Sequence, residues 1–219
     1  MINLEIKNNF ISIVTLGHFN PAILNKVFLE ENNIIKFEEE PKVNFTPIVC
    51  TIDYRNLKII VDLGRFQIVE NNIKDFESNS ILNFVYNYLE VLKYTPINIM
   101  GINFNFNMNI GNLNEIYSSG MCKKINESFN AKSCIFSITK LIEDNKETIK
   151  RINFGFDLLK SRSLNILIEM IEENLSVVNF NFEIKGIKKD NRFYLKDNFK
   201  EILNYHNNFK NILQKGTLQ

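Results

Sequence analysis

The chain has no tryptophan, four prolines, eight glycines, three cysteines and two histidines in 219 residues. Each scarcity removes a class of function. Cys50, Cys122 and Cys134 are odd in number and widely spaced, with no CxxC pair or Cys/His cluster. That spacing supports neither a zinc site nor a disulfide framework, and the thiols read as reduced and buried. The glycines are dispersed, so no GxxxxGK[ST] phosphate loop, GxGxxG turn or GxSxG nucleophile elbow exists. Charge of one sign is also missing: 26 basic residues against 25 acidic ones leave a net +1. A dedicated nucleic-acid binder carries a basic excess, so nucleic acid is not the favoured partner. No apolar run approaches the roughly 18 residues of a spanning helix. The start, "MINLEIKNNFISIVTLG", lacks the pattern of a signal peptide. The expectation is a cytoplasmic protein with no membrane contact.

What is present is a chain of ordinary hydrophobic content (45%) that is rich in Asn, Ile, Lys and Phe. That bias fits an AT-rich genome, prokaryotic or phage. The stretch "GINFNFNMNIG" alternates without a break: Ile102, Phe104, Phe106, Met108 and Ile110 on one side, Asn103, Asn105, Asn107 and Asn109 on the other. "INFGFDLL" at 152 and "VNFNFEIKG" at 178 share the design. Alternation of this kind belongs to a strand with one covered face.

Elsewhere the pattern predicts a first strand over Leu4 to Leu16, then a helix capped by Asn20, with Pro21 in its first turn and Ile23, Leu24, Val27 and Phe28 as its stripe. A meander follows over 35–70, with turns at Arg55-Asn56 and Gly64-Arg65. A helix from Ser78 or Ser80 to Pro96 buries Ile81, Val85, Tyr88, Leu89 and Leu92. The segment from Gly111 to Asn130 reads as a short helix pair or a loop. Four strands and a closing helix complete the chain. The last helix is expected to start at Asp197 or Asn198, with Glu201 in a capping box and with Phe199, Ile202, Leu203, His206, Phe209 and Leu213 inward. The fold class is α+β: two similar halves of antiparallel strands, with amphipathic helices packed on one face of a curved sheet. Residues 1–219 form a single domain, with pseudo-repeated halves at 1–112 and 113–219.

Sites are fewer. The row Asn103, Asn105 and Asn107 reads either as a binding surface or as the wet face of a sheet. The cluster Lys185, Lys188, Lys189 and Arg192 reads as a protruding loop that contacts phosphates or simply as a soluble turn. His206 reads as a core histidine. His18, in a strand-to-helix loop, is more open to a role. Asp53 and Asp62 sit at opposite ends of a hairpin and do not pair around a metal. No catalytic residue, metal or cofactor is assigned.

At "LKYTPINIMGINFNF" and "VVNFNFEIKG…ILNYHNNFKNIL" the chain resembles a sporadically distributed prokaryotic family that has no established activity. The resemblance rests on Thr95, Pro96, Gly101, Asn103, Phe104, Tyr205, His206 and Phe209. The sequence departs from that pattern at Asn181 and Glu183, where acidic residues are more usual. The family's patchy occurrence implies mobile or defence-related gene neighbourhoods. The expected function is a non-catalytic interaction protein in a larger complex, in the setting of prokaryote–phage conflict (defence or counter-defence), with a protein partner. The rival expectation is a nucleic-acid- or nucleotide-processing enzyme whose dispersed site draws on His18, Asp53 and the Lys185–Arg192 loop. A small-molecule sensor lined by Phe and Tyr is a third.

Overall fold

The computed structural model describes residues 6–73, 80–109, 113–129, 131–143, 146–158, 161–172, 175–187 and 194–216. Ten strands and five α-helices follow one another as β1 (Ile6–Gly17), α1 (Lys26–Glu31), β2 (Lys42–Phe45), β3 (Val49–Tyr54), β4 (Leu57–Asp62), β5 (Arg65–Asn71), α2 (Ile81–Val91), β6 (Ile97–Asn109), α3 (Leu113–Ser118), α4 (Met121–Ser128), β7 (Ser133–Glu143), β8 (Lys146–Leu158), β9 (Arg162–Glu172), β10 (Leu175–Lys185) and α5 (Tyr194–Gly216). The order of a strand, short helical segments, four strands and a helix therefore occurs twice along the chain. Hydrogen-bonded neighbours run β2-β3-β4-β5-β1-β6-β10-β9-β8-β7 in one antiparallel sheet. The mixed α and β build is the one the alternation implied. The chain divides into two compact units, one of residues 1–9, 103–182 and 201–219, the other of residues 10–102 and 183–200.

The second unit (10–102, 183–200) is built on the meander. Tyr54 faces Leu57 across a two-residue turn in which Arg55 takes φ +52°. Register then lines up Ile52, Ile59, Ile68 and Ile13 straight across four strands. All four are buried. At about 2 kcal/mol for each fully buried side chain of this size, such a row fixes the register, because a one-residue slip would turn every member to the wrong face. Helix α2 covers the row's neighbours with Ile81, Phe84, Val85, Tyr88 and Leu89. Its Ser80 cap makes no side-chain hydrogen bond. Gly17 closes β1 where the backbone runs against the start of β6: a Cβ there would stand 2.1 Å from the Pro96 carbonyl oxygen.

One helix differs from expectation. Asn20 does cap Pro21, but only for the 3-10 turn Pro21–Ile23. Asn25 is extended, and its side chain accepts from the Phe28 N–H to start α1. Two caps five positions apart split what the apolar stripe suggested was one helix.

The first unit (1–9, 103–182, 201–219) sets Phe136, Phe154 and Ile166 in one cross-strand row and Ile138, Ile152 and Ile168 in the next. Residues 113–128 form the helix pair α3 and α4. The rings of Tyr117 in α3 and of Phe129, just after α4, lie against Phe136 and Phe156 on the strands. Helix α5 begins about a turn before the expected Asp197 or Asn198. Of its expected inner side, Phe199, Ile202, His206, Phe209 and Leu213 are buried, whereas Leu203 is half-buried at the margin of the stripe. Glu201 makes no capping box. Its carboxylate pairs with Arg162 at the start of β9 and accepts from the Tyr205 hydroxyl at 2.9 Å.

Candidate binding face

In the first unit, alternation separates two faces. Phe104, Phe106, Phe154, Phe156, Phe180 and Phe182 are buried, and the rings of His206, Tyr205, Phe129 and Phe209 pack against members of this set. The intervening positions on β8, β9 and β10, among them Asn153, Asn165, Leu167 and Asn179, are half-buried or exposed. On this second face amides alternate with a few apolar side chains such as Leu167 and Ile171, and Arg151 and Glu169 form an ion pair with each other.

Asn103, Asn105 and Asn107 lie on this second face, as their spacing requires. Asn105 is only 8% exposed. The reason is a ladder of amides. Asn9 Nδ2 donates to Asn105 Oδ1 and to Asn107 Oδ1, each at 2.7 Å. Asn105 Nδ2 donates to Asn179 Oδ1 at 2.6 Å. Three strands are thereby stitched through side chains. Asn is a poor strand former because its amide competes with the backbone; here that amide is engaged by its neighbours instead. Asn9 and Asn179 were missed in the sequence. Asn179 carried a signal, because "VNFNF" repeats the design of "INFNF", but Asn9 carried none. A cleft of about 160 Å³ opens beside the ladder between Lys7, Asn107, Met108, Asn109 and Leu175.

Of the basic cluster, Lys185 is among the described residues. Lys185 ends β10 and pairs with Glu183 at 3.1 Å. Gly186 follows at φ +67°, and its N–H donates to the Asn98 carbonyl. Lys188, Lys189 and Arg192 lie outside the described residues.

The histidines part company. His18 is exposed, and its backbone N–H donates to the Pro96 carbonyl. His206 is buried in an aromatic box: it stacks on Phe104 at 5.1 Å and meets Phe106 and Phe180 edge-on at 5.2 and 5.8 Å. Burial, with help from the Lys210 ammonium, lowers its pKa to about 3. A ring that stays neutral at physiological pH inside a hydrocarbon wall is a packing group.

The carboxylates do not converge. Asp53 stands opposite Lys58 and pairs with it at 3.6 Å, whereas Asp62 stands opposite Val49 and holds Arg65. Among the described residues no three His, Cys, Asp or Glu side chains gather closely enough to hold a metal ion. The three thiols are unbridged; Cys50 is buried as expected, but Cys122 and Cys134 are only half-buried. Burial still pushes Cys122 up to about 11, well away from a reactive thiolate. Among the described residues no helix is long and apolar enough to cross a membrane.

No protein-family model matches the chain, and no curated protein matches it either. Among solved structures, a rolling circle replication initiator protein from Geobacillus stearothermophilus is similar, at 11% sequence identity and a TM-score of 0.36, over 90% of this chain and 80% of that one. A likeness of that degree assigns neither a fold family nor an activity.

Proposed function

We propose that this chain is a non-catalytic binding protein that works in a complex with a protein partner, in the setting of conflict between prokaryotes and phages. The observation that supports the reading is the amide-lined face of the first unit. Neutral amides cost far less to cover than charges do, and each still offers a donor and an acceptor to a partner. The Asn9–Asn105–Asn107–Asn179 ladder holds its side chains in place beforehand, which lowers the ordering cost of association. The self-paired Arg151 and Glu169 leave no strong field on this face, which favours a protein over a polyanion. The proposed setting rests on the family resemblance at Thr95–Phe104 and Tyr205–Phe209.

The reading keeps the chain as one domain of two similar halves, with helices on one face of a curved sheet. The recurrence of element order along the chain supports it.

The test is a native tagged purification from the source cell, read by mass spectrometry and by the absorbance ratio of the eluate. One stoichiometric protein partner is expected, lost in Asn165→Arg, an exposed position outside the ladder, with the melting temperature unchanged. A chain that elutes with no other protein, or with nucleic acid in its place, overturns the reading.

A further inference from the structure

Strand β7 ends the sheet, and among the described residues its outer edge pairs with nothing. Edges of this length are usually guarded by charge, proline, shortness or a bulge. The other end of the sheet follows that rule: β2 has four residues and begins with a lysine. Strand β7 does not. It runs for eleven residues, SCIFSITKLIE. The bulge beside it is on the neighbour: Thr139 faces Arg151 and Lys140 faces Ile149, so the extra residue is Lys150 of β8 and β7 alternates unbroken. Its one lysine is tied back, with Lys140 Nζ 2.6 Å from Glu147. Ile135 and Ile142 are 73% and 67% exposed, and Phe136 and Leu141 are exposed as well.

We infer that β7 pairs antiparallel with β7 of a second copy of this chain, across a two-fold axis through Ile138. The occupant follows from the strand's complementarity to itself. An isologous contact requires residue i to meet j while j meets i. Facing residues in an antiparallel pair share a face of the sheet, so the axis must pass through a residue and not between two. The axis that pairs all eleven residues passes through Ile138. In that register Ile135 meets Leu141, Ser137 meets Thr139, and Cys134 meets Ile142. Phe136 meets the aliphatic stem of Lys140, whose ammonium stays on Glu147. Ser133 meets Glu143. No like charges meet anywhere along the pair. Moving the axis one residue toward either end sets an exposed isoleucine or leucine against a hydroxyl or a charge: Ile135 against Thr139 or Glu143, Leu141 against Ser133 or Ser137. This pairing stands independently of the proposed partner on the amide face.

The experiment is sedimentation equilibrium of the purified full chain over a wide range of concentration. A species of twice the 25.7 kDa chain mass is expected. Ile135→Lys is expected to return it to one chain mass with an unchanged circular dichroism spectrum. If that variant misfolds, register is read by cross-linking in a Cys122→Ser, Cys134→Ser background. Facing Cα atoms in antiparallel strands lie about 4.5–5.5 Å apart, within disulfide reach. Ile138→Cys is therefore expected to give a disulfide-linked dimer on mild oxidation, and Thr139→Cys is not. A wild-type chain that stays at one mass overturns the inference. So does a dimer that survives Ile135→Lys, and so does a β7 edge occupied by the strand of a different protein.

Discussion

In the unit built on β1 and β5, Tyr88 of α2 lies flat on Phe66, with ring centroids 4.4 Å apart. In the unit that carries α5, His206 stacks on Phe104 and meets Phe106 and Phe180 edge-on. Each core thus takes one polar-headed ring from a helix and sets it against phenylalanines of the sheet. The difference lies in what protons do. A buried phenol stays neutral at every ordinary pH, and burial pushes Tyr88 further in that direction. An imidazole is neutral only while its surroundings keep it so. One core is therefore indifferent to acid, and the other is exposed to it.

The comparison breaks most visibly if the sheet rings are removed. Phe66→Ala and Phe104→Ala each delete a fully buried ring and are expected to cost about 3–5 kcal/mol in urea unfolding. Similar losses mean that the two stacks carry equal weight. A loss under about 1 kcal/mol at Phe104 would remove His206 from the core argument.

Acid should then separate the two cores. Below pH 6.5 the unfolded chain protonates His206, while the folded chain does so only near 3. Stability from this group is complete above pH 6.5 and is lost as pH falls toward 3. Between pH 7 and pH 5 the loss is about 2 kcal/mol, at 1.36 kcal/mol for each unit below 6.5. His206→Leu is expected to flatten that part of the pH profile, and Tyr88→Phe to leave it as in the wild type. Urea midpoints at the two pH values measure it, and equal pH slopes for wild type and His206→Leu would sink the assignment.

The open faces differ as well. In the first unit the amide ladder links three strands. In the second, Gln67 Nε2 reaches Ser12 Oγ at only 3.4 Å. Asn105→Ala strands the partners of a nearly buried amide and is expected to cost about 1–2 kcal/mol. Gln67→Ala is expected to stay within about 0.5 kcal/mol. Thermal melts of the two variants side by side test the contrast.

The parts legible in the sequence were those that a single period decides. Alternation marked β6, β8, β9 and β10, because one face is buried under aromatic rings and the other is not. Helical spacing marked the inner side of α5 down to His206. What stayed hidden depends on partners far along the chain. Glu201 has the spacing of a capping box, but Arg162, 39 residues earlier, takes its carboxylate. Phe84 was left out of the apolar face of α2, yet it is buried because the sheet beneath presents Phe66, with the two rings parallel at 6.4 Å. The polar Asn row was visible as a row. That Asn105 is engaged on both sides was not, since Asn9 is 96 residues away in sequence.

The smallest effect sharpens the comparison from the other side. Among the described residues the buried Tyr88 hydroxyl has no hydrogen-bond partner. Its ring is held by Phe66, by Phe84 and by Phe28 edge-on. Packing alone therefore places a group whose oxygen gains nothing from the fold. An unmet hydroxyl in an apolar site costs about 1–3 kcal/mol of desolvation, and deleting it leaves the ring contacts in place. Tyr88→Phe is expected to be neutral or to stabilise by about 1 kcal/mol, read as an unchanged or raised melting temperature at pH 7. A clear loss would mean that the hydroxyl has a partner, such as an ordered water. In that case the core of the second unit is anchored by a hydrogen bond.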